Sequence, residues 1–150
     1  MYNDTVTLFN RETTSDGSVI WHPTVIRNAD FNADRAKISA TYGERCDDLA
    51  KLHVVYATRD DAPIIGGKTY LLPKEWQALS SASKRNYLTF TSGKDFDFFW
   101  HGEWSGGEAI ADSGYTDGFY EYMCLAHDDV YKISQASLYS VIPHFEILGR

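Results

Sequence analysis

Apolar and polar residues alternate in short runs along most of this chain, and the dominant period is two. Val6-Thr7-Leu8-Phe9 is a β-prone run, Asp16-Gly17 is a turn signal, and Val19 to Ile26 is a second β-rich run. The opening therefore predicts a hairpin with its tip at Ser15 to Ser18. Pro23 cannot donate a ladder hydrogen bond, which places that part of the second strand at an edge or a bulge. Such an edge needs covering, or it pairs with a neighbour. From Asn28 to Asp48 the pattern weakens. Ala33 to Ala40 reads as a short helical turn or an irregular strand, Tyr42-Gly43 ends it, and the whole stretch is taken as a long connection. Leu52, Val54 and Tyr56 then alternate with His53, Val55 and Ala57, a strand with two fairly apolar faces that fits a central position.

Asp60-Asp61-Ala62-Pro63 and Gly66-Gly67 bracket a predicted loop. Tyr70-Leu71-Leu72 leads into Pro73-Lys74-Glu75-Trp76, where proline suits the first turn of a short helix ending by Ser80 to Ser83. Tyr87 to Thr91 and Asp95 to Trp100 read as a hairpin around Ser92-Gly93. In its second strand Phe96 and Phe98 share one face, opposite Asp95, Asp97 and Phe99. Gly102 to Gly118 holds five glycines and reads as a long functional or mobile loop. Phe119, Tyr122, Met123 and Ala126 fall at helical spacing and predict one amphipathic helix. The chain closes with β-prone runs at Val130 to Ile133 and at Leu138 to Ile147, the latter interrupted by Pro143. No repeat or linker divides it. The expected fold is a single mainly β (α+β) domain, a small antiparallel β-barrel or sandwich with one or two short helices and long loops.

Composition sharpens this picture in three places. A chain of 150 residues buries roughly 70% of its unfolded surface around one core. The 15% aromatic content, from ten Tyr, eight Phe and four Trp, favours both strands and protein interfaces. The net charge of -7 is spread along the chain, which leaves no basic patch to grip phosphates and argues against sequence-specific DNA binding. An acidic surface is still compatible with facing DNA without holding it. The apolar runs are too short for a membrane span, and Met1-Tyr2-Asn3-Asp4 does not begin a leader peptide, so the expectation is a protein kept in cytoplasm until assembly. Cys46 and Cys124 lack a C-x-x-C context; two free thiols are the default reading and one disulfide the alternative.

Candidate chemistry is thin. Gly66-Gly67-Lys68-Thr69 resembles the end of a phosphate-binding loop, but the first glycine of that motif is replaced by Ala62 and Leu71-Leu72-Pro73 stands where a long helix should follow. A turn entering a strand is the better reading. Asp95, Asp97 and Glu103 lie near Trp100 and Trp104, the residue types of a glycoside hydrolase, yet Asp95 and Asp97 fit better as the solvent face of a strand. His101-Gly102-Glu103 and His127-Asp128-Asp129 lack metal-site spacing, and His22, His53 and His144 stand isolated on β-rich segments. Cys124 and His127 are three apart on a predicted helix, a proximity that says little about catalysis. No catalytic, cofactor-binding or metal-ligating residue is assigned. The aromatic run Phe96 to Trp104 mixes core with candidate contact surface, Trp104 above all.

Val6-Thr7-Leu8-Phe9-Asn10, Trp21-His22-Pro23-Thr24-Val25-Ile26, Tyr70-Leu71-Leu72-Pro73-Lys74-Glu75-Trp76 and Ile142-Pro143-His144-Phe145-Glu146-Ile147-Leu148-Gly149, taken in order, resemble an uncharacterised family encoded in phage and prophage structural gene clusters. More distantly, the early hairpin, the Tyr-x-x-Pro-x-x-Trp step and the Gly-Lys-Asp-Phe hairpin look like the head-completion or stopper proteins of long-tailed phage necks. That resemblance implies a β-barrel-like protomer in a homo-oligomeric ring, usually of six, between portal-bound adaptor and tail proteins, where it retains packaged DNA. It also implies that long loops line the channel and that edge strands pair between subunits. The candidate interface or channel residues are Asp60, Asp61, Ile64, Ile65, Gly66 and Gly67 in one loop and Trp104, Gly106 and Gly107 in the other. The alternatives are a tail-completion or minor capsid protein, a carbohydrate-binding accessory domain and, last, a glycan-cleaving enzyme.

Overall fold

The computed structural model describes residues 2–33 and 49–150. Two long strands, β1 (Asp4–Thr13) and β2 (Val19–Ala33), form the predicted opening hairpin. Its turn is closed by the Thr14 N–H donating to the Ser18 carbonyl at 2.8 Å, with Gly17 at φ +88°. There follow β3 (Ala50–Val55), β4 (Ala57–Arg59), β5 (Ala62–Ile65), β6 (Lys68–Tyr70), helices α1 (Pro73–Gln77) and α2 (Ser81–Lys84), β7 (Tyr87–Leu88) and β8 (Phe98–Trp100). The chain ends with β9 (Ile110–Ala111), a 3₁₀ turn at Asp112–Gly114, helix α3 (Phe119–Ala126), β10 (Val130–Tyr139) and β11 (His144–Gly149).

The larger sheet runs β1-β8-β10-β11-β3-β2, and β2 pairs back onto β1, so six antiparallel strands close into a barrel; β9 adds to β2. The mainly β, antiparallel fold expected from the alternation is what the chain adopts. A smaller sheet, β4-β5-β6-β7, is antiparallel except for its last pair. Val6, Leu8, Ile26, Leu52, Val54, Phe99, Tyr131, Ile133, Phe145 and Ile147 fill one core, joined by Ile65, Leu88 and Phe90. Phe9, Trp21 and Phe98 point the other way and are covered by Ile110 and by Phe119 and Met123 of α3. Burial on both faces explains why Leu8-Phe9 and Phe98-Phe99 read as unbroken apolar pairs. It also accounts for the aromatic excess, since Phe9, Trp21, Trp76, Phe98, Phe99, Phe119 and Phe145 are all fully enclosed.

Helices start where the local signals place them, but the short helix expected from Pro73 to Ser80–Ser83 is two, α1 and α2, the second capped by the Ser80 side chain. Pro73 opens α1, whose Trp76 is buried, and the Asp112 carboxylate accepts from the Phe119 N–H at 2.8 Å at the start of α3. Pro23 pairs with Phe9 in the interior of the β1–β2 ladder, and the flank beyond it lies between the stretches of β2 held by β9 and by β3. The β5–β6 turn covers that flank. Lys68 Nζ donates to the Pro23 carbonyl at 2.8 Å, and a Cβ on Gly66 would sit 2.9 Å from the Val25 carbonyl oxygen. The turn entering a strand at Gly66-Gly67-Lys68-Thr69 is thus a packing element.

Four expectations change. Residues 87–100 are not a hairpin: β7 lies parallel to β6, and β8 is inserted between β1 and β10. Asp97 does not face solvent; it is 1% exposed, whereas Asp95 is exposed and Phe96 half-buried. Its Oδ1 accepts from the Arg11 N–H at 2.8 Å, and its Oδ2 accepts from Asn10 Nδ2 at 2.9 Å and from the Thr91 N–H at 2.8 Å. Residues 60–67 are not one loop but two tight turns flanking β5. The two closing β runs are a single hairpin, β10–β11, turning at residues 140–143. The predicted connection 28–48 begins as the end of β2; its remainder, with Cys46 and the possible disulfide, lies outside the described residues. Among the described residues no helix is long and apolar enough to cross a membrane.

Two outcomes follow for stability. Gly66→Ala must push against backbone from a left-handed φ of +58°, whereas Gly67, at φ +79°, faces open space. Urea unfolding should show Gly66→Ala costing about 2 kcal/mol or more, against about 1 kcal/mol for Gly67→Ala. Burial pushes the Asp97 carboxyl up to about 7, against the three N–H donors that favour its anion. Above its unfolded value of 3.8 the unfolded chain ionises first, so folding stability drawn from this group falls as pH rises from about 4 to 7 and levels off beyond. The difference in unfolding free energy between wild type and Asp97→Asn should change across that window and be flat above it; a difference independent of pH would contradict the assignment.

Candidate functional site

The residues singled out from sequence divide between two regions. Asp60 and Asp61 form the exposed tip of the β4–β5 hairpin in left-handed conformation, at φ +51° and +63°. Ile64 is half-buried and Ile65 fully buried in β5, so neither is a loop residue. Gly66 and Gly67 form the next turn, against Thr24 and Val25. Trp104 is half-buried against the outer aromatic cluster. It packs edge-on against Phe9 at 5.7 Å and Phe119 at 5.3 Å, donates from Nε1 to the Gly107 carbonyl at 3.2 Å, and lies over Gly106. The glycines of this loop let it fold back on the outer aromatic cluster.

The acids and histidines weighed as catalytic are likewise engaged. Asp97 is sealed inside, and Glu103 pairs with Arg27 at 2.6 Å on the surface. His127 stacks on Trp100 at 4.4 Å, and His101 lies over Phe31 at 4.3 Å with Asp4 at 3.1 Å. A buried polar group that the sequence did not suggest joins α1–α2 to the barrel. His22 Nε2 lies 2.7 Å from Glu12 Oε1, the Ser81 hydroxyl donates to Glu12 Oε2, and Lys84 Nζ donates to the carbonyls of Gln77 and Leu79. Burial works to raise the Glu12 carboxyl, but the hydrogen bonds from Ser81 and His22 and the Lys84 charge outweigh it and hold it low. Burial lowers His22. Ser81 donates to the carboxylate and not to an imidazole, so the group lacks the nucleophile–base contact of acyl-transfer sites. It is a clamp.

The surface offers a different feature. β10 runs on past its pairing with β8, bonded to β11 as far as Tyr139 while β11 stays paired with β3 to His144, and burial fades along β10. Its end exposes Leu138 and Tyr139, with Val141 at 96% and Ile142 at 73% exposure, beside Val55 on β3. Adjacent exposed apolar side chains of this size mark interaction surfaces. The tip is held in place from the side: the Tyr56 N–H donates to the Pro143 carbonyl at 3.4 Å, and the Tyr56 hydroxyl donates to the Tyr139 carbonyl at 3.2 Å. The next residues form β4, exposed throughout, which among the described residues pairs with β5 alone. A fixed apolar tip and a strand edge unpaired among the described residues therefore lie together. At the far end of the glycine-rich loop from Trp104 lies a groove of mixed character, with Tyr115, Tyr122 and Leu125 beside the acidic Asp117 and Glu121.

Behind the tip the barrel gathers residues that the sequence presents as isolated. Asp30 of β2, His53 of β3 and Glu146 of β11 are register partners in one cross-strand row. His53 Nε2 lies 3.3 Å from Glu146 Oε2, and His53 Nδ1 lies 3.7 Å from Asp30 Oδ2. His144 follows two residues before Glu146 on the same face, its ring 5.7 Å from that of His53. The spacing His144-x-Glu146 was visible in the sequence, but the strand that would face it was not.

No curated protein and no solved structure matches the chain. Residues 1–150 do match a family of unknown function, DUF6751, and the chain belongs to that family.

Proposed function

We propose that this protein is a structural subunit of a tailed-phage particle, a head-completion or stopper protein of the neck. In this reading copies assemble in the host cytoplasm and join a ring, usually of six, between the portal-bound adaptor and the tail, helping to retain DNA. The observation that carries the assembly role is the apolar β10–β11 tip standing beside the edge of β4 that is unpaired among the described residues. A closed ring requires two different surfaces on each subunit, one fitting the other on its neighbour. The tip supplies a projecting surface, and the groove of Tyr115, Tyr122 and Leu125 supplies a receiving one. The edge of β4 adds backbone pairing of the kind used in strand addition. A net charge of -7 suits a channel wall that must not adhere to DNA. A tail-completion or minor capsid position would use the same contacts. The aromatic residues behind the carbohydrate-binding alternative are mostly committed to the two cores, so no specific observation favours it.

The test is assembly in solution and in the particle. Native mass spectrometry should give a closed oligomer, and mass spectrometry of purified virions should find the protein at ring-like copy number. Val141→Asp, Ile142→Asp and Leu125→Asp change exposed side chains, so each variant should fold with the far-UV circular dichroism of the wild type. Each should weaken self-association by roughly thirtyfold, the effect of losing about 2 kcal/mol at an interface anchor. A monomer at all concentrations together with absence from virions would sink the proposal.

A further inference from the structure

We infer that His53, His144 and Glu146 form a binding site for a divalent transition metal of the zinc type. One donor atom from each, an imidazole nitrogen from the histidines and a carboxylate oxygen from Glu146, lies within 4.8 Å of both others. Around a tetrahedral zinc with bonds of about 2.0–2.1 Å, neighbouring ligand atoms stand about 3.3 Å apart. His53 Nε2 and Glu146 Oε2 are already at 3.3 Å. Closing the remaining gap, with all three donor atoms within 4.8 Å of one another, takes a small shift of the His144 ring toward the other two.

The surrounding contacts set each donor for this task. A backbone carbonyl can only accept, so the 2.6 Å contact between His144 Nδ1 and the Ile142 carbonyl puts the proton on Nδ1 and leaves the Nε2 lone pair free. His53 directs Nδ1 toward the Asp30 carboxylate and Nε2 toward Glu146. An imidazole that ligates through one nitrogen and faces a carboxylate or carbonyl through the other is the usual outer-shell arrangement of metal-bound histidine. Tyr139 stacks on the His144 ring at 4.8 Å and 8°, fixing its plane. Lys51 Nζ lies 3.8 Å from Glu146 Oε1 and leaves Oε2 to the metal. All three ligands are half-buried, on strands whose register fixes their spacing.

Two histidines and one carboxylate leave a fourth position open. It lies at the base of the apolar tip, since His144 and Tyr139 are register partners at the start of the turn. Metal bound here would tie β3 to β11 and hold the hairpin end. The site requires no particular oligomeric state and stands apart from the neck reading.

The experiment is isothermal titration of tag-free, chelator-treated protein with zinc chloride, beside the variants His53→Gln and His144→Ala, with metal-free unfolding curves to show that both variants fold. The expected result is one zinc per chain, a higher melting midpoint for the zinc-loaded wild type, and an affinity at least tenfold weaker in each variant. Magnesium should produce neither effect. Absence of zinc binding, or wild-type affinity in either variant, would overturn the site.

Discussion

The barrel depends on a buried carboxylate. Between β1 and β10 the wall consists of only three residues, Phe98 to Trp100, and a strand this short makes few ladder bonds. Asp97, at its entrance, supplies what the ladder lacks. Its side chain binds Asn10, the Arg11 N–H and the Thr91 N–H, while its own carbonyl accepts from the Ile133 N–H at 2.9 Å. One residue thus joins β1, the segment after β7, and β10. Once β8 is held, Phe98 and Phe99 are directed into the outer and inner cores respectively, and both cores become continuous. Leaving a carboxylate in such a place is costly unless every lone pair has a donor. Here the donors to the side chain come from two separate segments, β1 and the stretch after β7, and the backbone carbonyl adds β10, so the residue also selects this arrangement over looser ones.

The Glu12 clamp repeats the device at the neighbouring position of β1. Glu12 lies two residues beyond Asn10 on the inward-facing side, and its partners His22, Ser81 and Lys84 come from β2 and α2. Lys84 in turn accepts its place by donating to the carbonyls at the end of α1, and its ammonium lies 5.2 Å from the centre of the Trp76 ring. Short helices of four and five residues have little stability of their own. Polar anchoring through Glu12 and burial of Trp76 fix them to the barrel, and with them the smaller sheet that ends in β4.

What could be read from the sequence was what local chemistry decides. Asp16-Gly17 turns the first hairpin, Pro73 starts a helix, and Phe119 to Ala126 follows a helical period. What could not be read was decided by partners distant in sequence. Asp97 alternates with aromatics as a solvent-facing residue would, and only the arrival of Asn10 and Arg11 makes its burial possible. Ala62 to Ile65 is a strand, but with Asp60-Asp61 before it and Gly66-Gly67 after it the turn signals outweigh four residues of pattern. Trp104 sits beside glycines, which suggests exposure, yet those glycines are what allow the chain to fold its ring against Phe9 and Phe119. His53 and His144 meet because β3 and β11 are neighbours with a defined register, a fact no local pattern contains.

The apolar tip shows the same limit from the opposite side. Leu138 to Ile142 has the residue types of a strand that enters a core, and its exposure is set by how far β10 runs past its pairing with β8. A flexible apolar loop would lose most of its binding free energy to ordering. This one is already ordered: β10 and β11 pair up to Tyr139 and His144, Tyr56 reaches both sides of the turn, and the Tyr139 and His144 rings lie parallel. The constraints that hold the tip rigid belong to the same residues that bring His144 toward His53 and Glu146. Rigidity at the tip and donor spacing behind it are therefore one property of the β3–β11 pairing, and a substitution that loosens that register should disturb both together.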